Sequence, residues 1–123
     1  MYECQAELEI RVCRGDLLYC PFIIELDGEK YLEPMDEVYF TVKRHFYDKT
    51  AIVRKRLSDY TIDADDFGNY MITLLPEDTQ NLLFGTYDFD IEVVKESVCK
   101  KTFNGILYVD KEVTDFKNEG ASA

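Results

Sequence analysis

Leu82-Leu83-Phe84-Gly85-Thr86-Tyr87-Asp88-Phe89-Asp90-Ile91-Glu92-Val93 decides the fold, because strict alternation of apolar and acidic residues follows directly on a glycine. Tyr87, Phe89, Ile91 and Val93 fall on one face of a strand, and Asp88, Asp90 and Glu92 on the other. Such a strand has one face in a core and one in water, the mark of an antiparallel sandwich rather than a parallel α/β sheet.

The same pattern recurs outward from this stretch. Cys4, Ala6, Leu8, Ile10 and Val12 alternate with polar residues from Glu3 to Val12, and Arg14-Gly15-Asp16 turns the chain. Leu17 to Leu26 is more continuously apolar and holds Pro21, which suits a strand that bends or runs along an edge. Asp27-Gly28-Glu29 is the strongest turn signal. A third strand over Asp36 to Lys43 turns Val38, Phe40 and Val42 inward. A fourth, more basic, covers Thr50 to Leu57 and a fifth Asn69 to Leu75, with an acidic loop over Asp63 to Asn69 between them. Pro76-Glu77-Asp78-Thr79 puts proline and two acids where a helix begins, so one helical turn is expected to cross between sheets ahead of the opening strand. A final strand runs from about Lys101 to Lys111, with Phe103, Leu107 and Val109 inward.

Seven strands with turns about every ten residues, a helical crossover before the sixth and a tyrosine at its start match an immunoglobulin-like antiparallel β-sandwich. There is no Cys in the sixth strand and no Trp anywhere, so the disulfide and tryptophan of antibody domains are absent. An eight-stranded jelly roll is the alternative. One domain is expected over 1–116, followed by a C-terminal tail over 117–123 without an apolar anchor.

Nine Tyr and eight Phe supply a core although 32% of residues are charged. The net charge of −11 speaks against nucleic acid or an anionic membrane as the partner, since both require a cationic surface. The N-terminal ten residues show neither a basic nor a continuous apolar region, and nothing later is long enough to span a bilayer, so cytoplasmic synthesis is expected. Cys4, Cys13, Cys20 and Cys99 show no CxxC spacing and His45 is the only histidine, which favours free thiols over a zinc site.

Two constellations invite chemistry. Asp63, Asp65 and Gly68 match the opening of a calcium-binding EF-hand loop, but Phe67 and Leu74 occupy two positions that need oxygen ligands, so a hairpin loop is the better reading. Asp88, Asp90 and Glu92 stand at spacings of about 6.7 Å on one strand face, near the carboxyl separation of an inverting glycosidase. General acid work needs a desolvated carboxyl, however, and acids on an alternating strand more often form its wet side. No catalytic residue and no cofactor is therefore expected, and no nucleophile elbow or phosphate loop accompanies His45.

Charge distribution is more informative. Lys43, Arg44, Lys49, Arg54, Lys55 and Arg56 stand against a single Asp48, a local balance of +5 that leaves −16 on the rest of the chain. Either these cations keep a sheet edge from pairing with another sheet, or they form a docking face for an acidic surface, including that of another copy joined head to tail.

Gly15-Asp16, Asp27-Gly28, the run Asp36-Glu37-Val38-Tyr39-Phe40-Thr41-Val42-Lys43, Pro76-Glu77-Asp78-Thr79, Gly85-Thr86-Tyr87-Asp88-Phe89-Asp90-Ile91, and Thr102 through Gly105, Leu107 and Val109 to Val113-Thr114 follow one another in order. In that pattern the chain resembles small bacteriophage and prophage tail or baseplate proteins of immunoglobulin-like fold, including the N-terminal domain of upper baseplate proteins. The resemblance spans about Gly15 to Thr114. It implies a virion structural protein that contacts other tail or baseplate proteins or copies of itself, with no catalytic residues carried over. Its structural corner falls on Pro76, Asp78, Gly85 and Tyr87, with the Tyr87 hydroxyl tied to the crossover. Leu75 departs from the Ser or Thr that related sequences often place there as a cap. The other reading is a carbohydrate or cell-surface binding module in which Tyr31, Tyr47 and Tyr60 stack on sugar rings.

Overall fold

A computed structural model describes residues 8–111. The expected strand residues 3–7, the last residues of the expected domain and the 117–123 tail lie outside the described residues.

The strands are β1 (Leu8–Cys13), β2 (Leu18–Ile23), β3 (Glu25–Leu26), β4 (Glu29–Lys30), β5 (Glu37–Lys43), β6 (Val53–Arg56), β7 (Ile62–Ala64), β8 (Asn69–Leu74), β9 (Gly85–Lys95) and β10 (Cys99–Asp110). One 3-10 turn, Leu57–Asp59, follows β6, and one helical turn, α1 (Pro76–Thr79), precedes β9. All seven expected strands have counterparts here. The three additions are short. β3 and β4 flank the Asp27-Gly28 turn, where both residues take the positive φ that a tight two-residue hairpin requires. Ile62–Ala64 pairs with β8, so the expected acidic loop is shorter at its start: Ile62 is apolar and buried, and β8 offers it a free edge.

Five strands form one sheet in the order β1-β10-β9-β5-β6, and three form the second in the order β2-β8-β7. Every pairing is antiparallel except β1 with β10, which run side by side in the same direction from Leu8 opposite Gly105 to Cys13 opposite Asp110. The protein is thus an all-β, immunoglobulin-like sandwich. β2 is the edge strand that Pro21 suggested, and its chain breaks at the buried Ile24 before β3.

The core lies between the sheets. Val38, Phe40 and Val42 of β5, Tyr87, Phe89, Ile91 and Val93 of β9, and Leu107 and Val109 of β10 face Tyr70, Ile72 and Leu74 of β8. Alternation accounts for this directly, since each inward set is spaced by two. Phe40 and Phe89 pack with ring centroids 5.5 Å apart, and Phe22 of β2 stacks on Tyr70 at 5.3 Å. The Tyr70 hydroxyl, otherwise stranded in the core, accepts the Met35 N–H at 3.0 Å.

The crossover closes one end of the sandwich. Asp78 reaches back to accept the Leu75 N–H at 2.7 Å, which satisfies a donor at the start of α1 that leucine itself cannot cap. Buried Thr79 accepts the Gly15 N–H at 2.8 Å through its hydroxyl, fastening the β1–β2 turn to α1. The Tyr87 hydroxyl donates to the Leu83 carbonyl at 2.7 Å, the contact of a tyrosine corner.

Candidate binding face

The outer face of the five-stranded sheet gathers most of the residues singled out above. β9 turns Asp88, Asp90 and Glu92 outward, and register sets Lys43, Thr41 and Tyr39 of β5 beside them in that order. On the far side of β5, Arg54 stands opposite Thr41 and Arg56 opposite Tyr39. Two shallow hollows lie on this face, both lined by Thr41 and Asp90. One, of about 400 Å³, reaches Arg54, Arg56, Glu92 and Thr102, and the other, of about 320 Å³, reaches Lys43, Phe46, Asp88 and Asn104.

The six candidate cations do not form one surface. Lys49, Arg54 and Arg56 are exposed, whereas Lys55 is only 7% exposed and points inward. Its ammonium lies 2.9 Å from the Asp78 carboxylate, so it ties edge strand β6 to the crossover and is not available to a partner. Strand parity is the reason: Val53 is a core residue, and two positions on Lys55 faces the same way. Lys43 donates to the Asp48 carbonyl at 2.7 Å and so serves the β5–β6 loop. The Arg44 guanidinium lies 4.7 Å from the centre of the Tyr87 ring, with one terminal nitrogen buried and unpaired beside Gly85. Gly85 opens β9 with a φ of 136°, a region that side chains rarely adopt. Asp78 thus holds Lys55, while Gly85 and Tyr87 lie beside Arg44, so these two cations make contacts within the fold.

The acids on the face differ from one another. Asp88 accepts the Phe46 N–H at 2.8 Å, which folds the loop after β5 over the end of the sheet. Asp90 is partly desolvated between the two hollows, and this burial, with repulsion from the Glu92 carboxylate, raises its pKa against the lowering influence of Lys43. A raised carboxyl is what general acid work needs. His45 is exposed and stacked on Tyr47 at 5.2 Å.

The remaining candidates separate. Tyr47 and Phe46 are exposed at the end of the sandwich where β5 stops, and their rings meet edge to face at 5.4 Å. Tyr31, in the loop leading into β5, is half-buried against the core, and exposed Tyr60 follows the 3-10 turn at the opposite end, where β5 begins. The three tyrosines do not share a surface. In the Asp63–Asn69 segment, Asp65 accepts the Phe67 and Asn69 N–H groups at 2.8 and 3.0 Å and the Asn69 side-chain amide at 2.7 Å. Those bonds, the Asn69 side chain first, hold its pKa below the usual value and occupy the oxygens that a calcium loop would present. Cys13, Cys20 and Cys99 are free thiols, with burial pushing the Cys20 thiol up, and Cys4 lies outside the described residues. Among the described residues no helix is long and apolar enough to cross a membrane.

Phe46, Tyr39 and Thr41 were not singled out from the sequence as site residues. For Tyr39 and Thr41 the signal was parity on β5, where they alternate with the core residues.

No protein-family model matches the chain, and no curated protein matches it at a significant level. Among solved structures it is similar to the first Ig-like domain of human CD48 antigen, with 16% sequence identity over 94% of this chain and 91% of that one and a TM-score of 0.45.

Proposed function

We propose that the protein is a non-enzymatic structural component of a phage or prophage tail or baseplate, which assembles through the outer face of its five-stranded sheet. The observation that carries this reading is the arrangement of that face, where exposed Arg54 and Arg56 flank β5 on one side and Asp90 and Glu92 on the other. Flat, mixed-charge surfaces of this kind suit another protein better than a small molecule, because complementary charge fixes orientation and rejects wrong partners. The ordered pattern from Gly15 to Thr114 supports the phage setting, and cytoplasmic synthesis followed by incorporation into a virion agrees with it.

Co-expression with the products of neighbouring genes tests the reading. The protein should co-purify with a tail or baseplate component, and R54E/R56E should abolish that complex without changing the melting temperature. Neighbours unrelated to tails, or a complex indifferent to this variant, would overturn it.

Exposed Phe46 and Tyr47 beside the 320 Å³ hollow favour a second reading, a carbohydrate or cell-surface binding module. Glycan-array binding lost in Tyr47→Ala would support it over assembly.

A further inference from the structure

The charges on the outer face stand in columns. Register aligns Arg54, Thr41 and Asp90 in one row across β6, β5 and β9, and Arg56, Tyr39 and Glu92 in the next. Adjacent strands are about 4.8 Å apart, so the cationic and anionic columns lie roughly 9.5 Å apart with β5 midway. Their charges are poorly satisfied within the chain. Arg54 has no ion-pair partner and Asp90 no hydrogen bond among the described residues, Arg56 reaches Asp59 only at 3.6 Å, and Glu92 meets Lys100 only at 4.0 Å.

We propose that this face binds a second copy of the same chain across a twofold axis running along β5, with Arg54 and Arg56 of each copy seated on Asp90 and Glu92 of the other. The inference rests on the reading of this face as a contact surface and names its partner. Two faces packed together can be related by a twofold only if the axis lies in the plane between them. An axis along the strands exchanges left and right, bringing each cationic column over the partner's anionic column and forming four ion pairs. An axis across the strands keeps left and right, setting arginine over arginine and acid over acid, which is repulsive. The pattern on the sheet therefore selects the axis. Tyr39, Thr41 and Lys43 lie beneath it and meet their own copies, the Lys43 ammonium being held by the Asp48 carbonyl of its own chain.

One row further toward the β5–β6 loop, Ile52 continues β6 by donating its N–H to the Val42 carbonyl at 2.7 Å. The same rotation carries Ile52 of one copy over Asp88 of the other, beside the hollow that Phe46 helps to line. Phe46 and Ile52, 78% and 39% exposed in the single chain, then cover one another. Two apolar contacts, one on each side of the axis, thus cover the end of the ion-pair columns nearest the β5–β6 loop.

Sedimentation equilibrium on the full chain near physiological ionic strength tests the proposal. The protein should form dimers, and both R54E/R56E, in which both columns are acidic, and D90R/E92R, in which both are basic, should be monomers. An equimolar mixture of the two variants should form a 1:1 heterodimer, and the four substitutions combined in one chain should restore the homodimer. This rescue separates lost complementarity from lost folding, and circular-dichroism melts of each variant check the fold directly. A wild-type chain that stays monomeric, or a dimer unaffected by either pair of substitutions, would overturn the inference. If the wild type is monomeric while R54E/R56E still breaks a complex with a tail protein, self-association alone fails and the contact face stands. If neither complex forms, both fail.

Discussion

Because β6 alternates, loss of the cation at two neighbouring positions should have unequal effects. Lys55 is buried against Asp78, and removing the cation leaves that carboxylate little exposed and without its partner. Lys55→Met should therefore destabilise the fold by about 3 kcal/mol, toward the low end for broken buried pairs because the Leu75 N–H still serves Asp78. Arg54→Glu should leave folding stability within about 0.5 kcal/mol, since the side chain lies in solvent. Urea denaturation of the two variants measures both. Asp90 provides the pH counterpart. Its pKa is raised by burial and by Glu92, so the folded chain holds that proton more tightly than the unfolded chain does. Stability contributed by this group consequently falls as pH rises from the ordinary carboxylate value through the raised one. At protein concentrations low enough to keep the chain monomeric, Asp90→Asn should melt above the wild type at neutral pH, and the gap should close as pH drops below about 3.9, where aspartate is protonated in both states. A gap that persists at low pH would show that packing, and not charge, is responsible.

At the scale of elements, β1 depends on a missing side chain in its neighbour. A Cβ at Gly105 would meet the Leu8 carbonyl oxygen at 2.6 Å as well as the Phe89 ring, so alanine there must push β1 away or displace a core aromatic. Gly105→Ala should cost about 1–3 kcal/mol, as overpacking does. The amides of β1 should lose protection first in native-state hydrogen exchange, ahead of those in β9. Strands were legible where one face is apolar and the other polar, as from Val38 to Lys43 and from Tyr87 to Val93, because burial enforces period two. The single turn at Pro76–Thr79 was legible from its proline and acids. What escaped the sequence was pairing. Nothing local says that β1 runs parallel to β10, and three residues at Ile62–Ala64 become a strand only because β8 stands beside them.

For the whole molecule, the basic segment from Lys43 to Arg56 was visible as a count of charges, but a count along the chain does not tell which side of a strand each charge occupies. Arg44 joins an aromatic ring, Lys55 an interior carboxylate, Lys43 a loop carbonyl, and only Lys49, Arg54 and Arg56 remain in solvent. The acids of β9 were legible as one face, and the structure adds that the surviving arginines share it. That juxtaposition depends on β5 lying between β6 and β9, a long-range choice with no local signature.

The parallel contact between β1 and β10 also bears on tension. Since both strands run the same way, Leu8 and Asp110 lie toward opposite ends of their shared ladder, and opposing pulls applied there slide one strand along the other. The six registered residue pairs from Leu8–Gly105 to Cys13–Asp110 then bear the load together in shear instead of unzipping one after another.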